Sequence, residues 1–437
     1  MRYFLPDSQD LVDPTFDFET ERRSTKRIRH REDQYAHELF SERMLDGILV
    51  SKGIVDGFGS NSARYTIAQR HRLLRVGAAE FFRTGRVGWR PIPMMGDCGA
   101  FTYVREESPP YTIEEVAEFY VDCGFELGIS VDHVILEYNA GWDDTPGEVP
   151  AGVVKRQQIT LDLAQEFFTF AADQRLRFEL LGVAQGWSPR SYAASVSALQ
   201  KIGFRYIALG GMVPLKTADI LASLRAIAGV RLADTRLHLL GITRTDSLRE
   251  FANLGVASFD STSPLRQAFK DAKNNYYSMD REYTAIRIPQ VEGNPALGRL
   301  ISSGRVAQET ARARERGALD AMRNFDAGAG TLADTLDALQ AYEDVYDNGA
   351  SHRDVYAEIL DAQPWKQCAC DVCRSIGHHV ILFRGAERNR RRGLHNTWTF
   401  YRRLQREVPS TIPGSGDPPE QAPRRARRVR TTAGETG

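Results

Sequence analysis

Between residues 45 and 345 short apolar runs alternate with longer amphipathic ones, and this alternation limits what the chain can become. Arg177-Phe-Glu-Leu-Leu-Gly-Val-Ala184 reads as a strand, and Ser191-Tyr-Ala-Ala-Ser-Val-Ser-Ala-Leu-Gln-Lys-Ile202 carries the apolar spacing of a helix. The unit recurs as Tyr206-Ile-Ala-Leu-Gly210 with a helix through Ala218–Ile227, and again as Leu237–Ile242 with a helix from Asp246, before Val256-Ala-Ser-Phe-Asp260. Strand-then-helix units repeated over about 250–300 residues suit an α/β fold of the (β/α)8 TIM-barrel kind. A doubly wound sheet uses the same units. The barrel is preferred because polar residues recur where strands end, at Asp97, Asp132, Gln185, Gly210 with Gly211, and Asp260, as an active site on the C-terminal face requires.

Outside that rhythm, residues 1–44 are highly charged and weakly periodic and read as an extension rather than a core element. The stretch 346–407 holds a cysteine cluster and reads as a small zinc-binding subdomain after the barrel domain of 45–345. Residues 408–437 have almost no large apolar side chains and read as a disordered basic tail. Lysine plus arginine and aspartate plus glutamate are equal at 57 each, so no long-range field is expected from the whole molecule. Arginines nevertheless gather near 22–31, 384–407 and 424–430, where a polyanion could be held locally. The N-terminus lacks the apolar run of a secretory signal and no later stretch is long and apolar enough to span a bilayer, so a cytoplasmic location is expected. Of five cysteines, Cys98 and Cys123 lie far from the other three, which argues against a disulfide framework.

Those other three are Cys368-Ala-Cys370-Asp-Val-Cys373, followed after 21 residues by His395. Three thiolates and an imidazole suit a tetrahedral Zn²⁺ with no open position, hence a structural metal. His378 and His379 compete as the fourth ligand, but they stand so near Cys373 that closing the site through them needs a tighter loop. Two aspartates also stand out. Asp97 lies in Met95-Gly-Asp-Cys-Gly-Ala-Phe101 and Asp260 in Phe259-Asp-Ser-Thr-Ser-Pro264. A carboxylate pair at one barrel mouth can carry out double displacement at an anomeric carbon, although an aspartate after a strand also serves to cap the next helix.

In this order the pieces resemble the tRNA-guanine transglycosylase superfamily, over about residues 45–405. Its members carry an Asp-Ser-Gly-Gly-aromatic loop, a Gln-Gly turn, a Gly-Gly turn, a Phe-Asp nucleophile motif and a Cys-x-Cys-x2-Cys…His zinc site, and all five have counterparts here. The resemblance implies a zinc-bearing TIM barrel that acts as a pentosyltransferase. Asp260 would attack C1′ of a nucleoside and expel guanine, and Asp97 would take the proton from the incoming free base. Asp132 and Gln185 would hydrogen-bond the purine edge, Gly211 and Met212 would add backbone contacts, and Phe101 and Leu240 would sandwich the ring. Departures from the pattern are Ala100 for the second glycine, Thr102 after the aromatic and a shorter gap before His395. Lys216 also stands where enzymes using an aminomethyl base carry an acid, which favours the uncharged 7-cyano-7-deazaguanine among 7-deazaguanines.

The opening Phe4-Leu-Pro-Asp-Ser-Gln-Asp10, with Asp13-Pro14 and Phe16-Asp-Phe18, resembles the DNA-modifying branch of that superfamily. DNA is therefore the expected polymer, with tRNA as the alternative. An accessory protein from the same gene cluster is implied as a partner, and the oligomeric state stays open. A duplex would surrender its guanine at an unstacking cost of a few kcal/mol, which the arginines near 22–31 and 384–407 could offset through phosphate contacts. A non-catalytic nucleic-acid-binding paralogue is the third reading, and retention of both Asp97 and Asp260 argues against it.

Overall fold

A computed structural model of the chain describes residues 1–58, 64–89, 91–347, 349 and 351–408. Eight parallel strands close into a barrel in sequence order. They are β1 (Arg2–Pro6), β2 (Gly47–Ser51), β3 (Met94–Asp97), β4 (Leu127–Ile129), β5 (Glu179–Ala184), β6 (Tyr206–Leu209), β7 (Arg236–Leu239) and β8 (Val256–Asp260). The ring closes at β1, where Phe4 pairs with Gly47 on one side and Asp260 on the other. Helices α1 (Ile67–Val76), α2 (Ile113–Cys123), α3 (Ala151–Asp173), α4 (Pro189–Ile202), α5 (Thr217–Ala228) and α6 (Leu248–Asn253) follow β2 to β7 in turn. Side-chain N-caps start α1, α2 and α4. At α2 the Thr112 hydroxyl accepts from the Glu115 N–H while the Glu115 carboxylate accepts from the Thr112 N–H, satisfying two end donors at once.

Alternate strand residues point inward, and Phe4, Leu49, Met95, Leu127, Ile129, Leu181, Val183, Tyr206 and Ala208 fill the ring as one apolar plug. Two residues further along the same faces stand Asp97 on β3, Gln185 just past β5 and Leu240 just past β7. The site is therefore a continuation of the core register into the open end of the barrel.

Two expected boundaries need correction. Residues 1–44 are not wholly outside the core, because Arg2–Pro6 is the first barrel strand. A five-residue strand ending in proline has no readable periodicity of its own, and its burial comes from pairing with β2 and β8, which no local pattern displays. Nor does the ring extend to 345, since its last strand ends at Asp260. Helices α7 (Gln308–Asp326), α8 (Leu332–Tyr346) and α9 (Arg353–Ala362) lead instead into the cysteine-bearing region. Asp326, ending α7, accepts from Trp365 Nε1 at 2.8 Å and lies 3.1 Å from His378 Nδ1.

A last helix, α10 (Gly385–Glu407), overturns the expected role of the arginines at 384–407. Arg384, Arg388, Arg391 and Arg392 are all buried. Arg384 holds Glu21 and Glu315, each at 2.6 Å, and Arg388 holds Glu21 and the Phe18 carbonyl. Arg391 donates to Glu387 at 2.9 Å and to the Asp13 carbonyl at 2.6 Å, and its guanidinium lies 4.8 Å from the Phe18 ring centre. Arg402, Arg403 and Arg406 pair with Glu42, Glu282 and Asp280. The cluster looked free because Asp13, Phe18, Glu21 and Glu42 lie 360 or more residues from the arginines they meet. Residues 13–21 are thus fastened to α10, and the Asp13 and Phe18 of the N-terminal signature are anchors in that latch. The tail expected over 408–437 lies, apart from Val408, outside the described residues. Among the described residues no helix is long and apolar enough to cross a membrane.

Candidate active site

Three carboxyl groups gather at the open end of the barrel. Asp97 ends β3, and its Oδ2 accepts from the Gly99 N–H at 3.1 Å. Burial and the neighbouring charges of Asp132 and Asp260 push its pKa up to about 7, against the opposing hydrogen bonds from Ser51 and Gly99. Asp97 and Asp260 therefore sense one another across the mouth. Asp132 lies three residues beyond β4 and is buried, and desolvation raises it to about 6 although Gln185 and Cys98 donate to it.

Asp260 ends β8 and is also buried. One of its oxygens, Oδ1, accepts from the Gly241 N–H at 3.0 Å and faces His238 Nε2 at 3.1 Å. No hydrogen bond among the described residues occupies Oδ2. One oxygen is thus held and the other takes no hydrogen bond among the described residues, an arrangement that suits attack by a carboxylate.

The residues expected to read a purine form a connected set. Gln185 Nε2 donates to Asp132 Oδ2 at 2.6 Å while its Oε1 accepts from the Ile135 N–H at 3.1 Å. Both side chains are therefore locked by each other, and each Asp132 oxygen keeps lone-pair capacity for a ligand N–H. Gly211 has φ +74°, and a Cβ there would come within 2.3 Å of the Ile135 carbonyl and 2.9 Å of Gln185 Oε1. Only glycine fits. Met212 is fully buried. Leu240 is half-buried and packs on the interior plug, while Phe101 is 50% exposed. They stand just beyond β7 and β3, four strands apart in the ring, hence on opposite sides of the mouth. Nothing among the described residues joins them across it.

Cys368, Cys370, Cys373 and His395 converge, with all four ligand atoms within 4.8 Å of one another. His395 Nδ1 lies 3.6, 3.4 and 3.4 Å from the three sulfurs. One ring nitrogen cannot hydrogen-bond three thiols, whereas near-equal separations of this size are the edges of a tetrahedron about a shared ion. His395 Nε2 donates to the Tyr277 carbonyl at 2.7 Å, so Nδ1 keeps the lone pair a metal needs. The Tyr276 ring stacks on the imidazole at 4.3 Å. His378 and His379 are engaged elsewhere, with Asp326 and Glu19, each at 3.1 Å.

Several polar residues of the site were not singled out from the sequence. Cys98 lies 3.3 Å from Asp132 Oδ1 and accepts from Tyr103 OH at 3.1 Å, and burial with the flanking aspartates pushes its thiol well above the usual range. His238, Ser258 and Tyr206 lie in the ring beneath Asp260. A signal for them existed: if Asp260 faces inward, so does Ser258 two residues earlier, and His238 stands two before Leu240 on the same alternation.

No family model matches the chain. A DNA-guanine transglycosylase of Salmonella montevideo is 48% identical over 409 residues, which span 93% of this chain and 97% of that protein.

Proposed function

The chain belongs to the DNA-guanine transglycosylases, the DNA-modifying branch of the tRNA-guanine transglycosylase superfamily, and from that premise we propose that it replaces guanine in DNA with a 7-deazaguanine through a covalent ester on Asp260. Oδ2 of Asp260 attacks C1′ of a flipped deoxyguanosine as the bond to N9 breaks, and the departing guanine takes a proton from Asp97. The incoming base then returns a proton to Asp97, its N9 attacks C1′, and the ester bond breaks to restore the Asp260 carboxylate. Two inversions leave the anomeric configuration unchanged.

The observation that carries this reading is the pairing of an Asp260 held through one oxygen with an Asp97 whose pKa stands at about 7. A group half-protonated near neutrality serves equally as the acid of the first step and the base of the second. Asp132 would take the N1–H and exocyclic amine of the base, with Gln185 donating beside it, and Gly211 and Met212 would supply main-chain contacts. Phe101 and Leu240 would close over the two faces of the ring. Lys216 is exposed at the start of α5, and a cation there disfavours an aminomethyl substituent, so 7-cyano-7-deazaguanine is the free base assigned.

The metal is assigned as Zn²⁺. Bonds of about 2.3 Å to sulfur and 2.0 Å to nitrogen give tetrahedral N···S edges of roughly 3.5 Å, against the 3.4–3.6 Å found here. When bound it supplies structure only, since four protein ligands leave no position for substrate. The enzyme would act in the cytoplasm on chromosomal or plasmid DNA, with an accessory protein of its gene cluster assisting exchange.

Incubating the protein with labelled guanine and, separately, plasmid DNA and tRNA tests the assignment. Label is expected in the plasmid. Label confined to tRNA would remove DNA as the substrate, and nucleoside mass spectrometry of host DNA with and without the gene identifies the inserted base.

A further inference from the structure

Most of the barrel interior is apolar, yet beneath Asp260 it holds a column of polar side chains. Arg2 Nη2 donates to Tyr206 OH at 3.2 Å, Tyr206 OH contacts Ser258 Oγ, Ser258 Oγ lies 2.6 Å from His238 Nδ1, and His238 Nε2 lies 3.1 Å from Asp260 Oδ1. Tyr206, Ser258 and His238 are all fully or almost fully buried. Donor chemistry orders the column in one direction. A guanidinium only donates, so the Tyr206 oxygen accepts from Arg2 and its hydrogen turns to Ser258. The Ser258 hydrogen then turns to Nδ1 of His238, which places the ring proton on Nε2, facing a carboxylate that only accepts.

We propose that His238 is the positioning residue for the nucleophile, its tautomer set by the chain from Arg2 through Tyr206 and Ser258. This rests on the reading that Asp260 attacks C1′. The Nε2–H of His238 and the N–H of Gly241 both fall on Oδ1, so the carboxylate cannot turn about its own axis and Oδ2 alone meets the sugar. The same two donors remain satisfied after attack, because Oδ1 becomes the ester carbonyl and still accepts. No hydrogen bond has to break as the covalent intermediate forms or collapses.

Stability does not call for this column. Elsewhere the ring is filled by Leu49, Met95, Ile129, Leu181 and Val183, and burying an imidazole and two hydroxyls is costly unless every group is paired. The Phe4 ring meets the His238 ring edge-on at 6.0 Å between centres and limits its rotation.

The test compares His238→Leu, His238→Gln, Ser258→Ala and Asp260→Ala with the parent protein. Single-turnover formation of the covalent enzyme–DNA complex is read on denaturing gels, alongside DNA affinity and melting temperature. His238→Leu is expected to slow ester formation about 100-fold, the scale of a displaced reacting group, with unchanged DNA affinity. His238→Gln keeps an N–H near the position of Nε2 and should recover much of the rate. Ser258→Ala keeps the imidazole but frees its tautomer, so a slowed rate there cannot come from a collapsed core. An unchanged rate in His238→Leu, or a His238→Gln protein no faster than it, overturns the positioning role while Asp260→Ala stays silent. An Asp260→Ala protein that still exchanges bases overturns the underlying reading instead.

Discussion

Two regions of this molecule bury charge in opposite ways. At the barrel mouth Asp132 and Asp260 stand close enough to act on Asp97, and burial with that repulsion lifts Asp97 to about 7, while burial alone lifts Asp132 to about 6. At the latch, burial alone would push Glu21 up as well, but Arg384 and Arg388 hold its carboxyl down at about 2. Like charge kept together costs stability and supplies reactivity, whereas opposite charge fully paired fixes position. The mouth is thus built for chemistry and the latch for holding the N-terminal segment and the metal region in place.

The sharpest way to break this contrast is to remove the metal. Chelation, or Cys370→Ala, is expected to release the 368–395 region, because a structural zinc site contributes on the order of 10 kcal/mol to its own folding. Metal content and limited proteolysis read the outcome. If the region stays protected without metal, the arginine latch alone holds it. Next in size, Asp260→Ala is expected to lower exchange by about 10⁴-fold or more, as when a nucleophile is deleted, with melting temperature nearly unchanged. A large loss of stability in that variant would instead make Asp260 a structural member of the ring.

How much of this was legible beforehand divides along the same line. The mouth was readable because its residues sit at fixed offsets from strands: β5, β6 and β8 fall where apolar runs placed them, and Asp97, Gln185 and Asp260 follow from the same two-residue period. The column under Asp260 obeyed that period too, and was missed only because a histidine inside an apolar strand looks like core. The latch was opaque for a different reason. Arg384 and Arg388 meet Glu21 across more than 360 residues, and no local pattern distinguishes an arginine with a distant partner from one waiting for phosphate. β1 was hidden likewise, its strand character conferred by neighbours at Gly47 and Asp260.

Glu21→Gln sharpens the comparison from the latch side. Glu21 is half-buried against buried Arg384 and Arg388, so removing its charge is expected to cost about 2–4 kcal/mol, less than for a fully buried pair, and thermal denaturation should report it at neutral pH. Because the folded pKa of Glu21 lies below its unfolded value, its contribution is complete above about 4.5 and is lost as pH falls toward 2. The parent should therefore lose its advantage over Glu21→Gln on acidification.

Asp97→Asn asks the same question of the mouth and should give the opposite sign. A folded pKa raised from 3.8 to about 7 means the fold favours the protonated acid, so its stabilising effect is present below the unfolded value and lost as pH rises through about 7. An amide mimics the protonated acid at every pH. Asp97→Asn should then melt close to the parent at or below about pH 4 and above it at pH 8, by roughly 2–4 kcal/mol in stability, while losing base exchange. A variant that gains nothing at alkaline pH would mean that Asp97 is not held against its charge. The mouth would then be no more strained than the latch, and the proton transfers assigned to Asp97 would need another carrier.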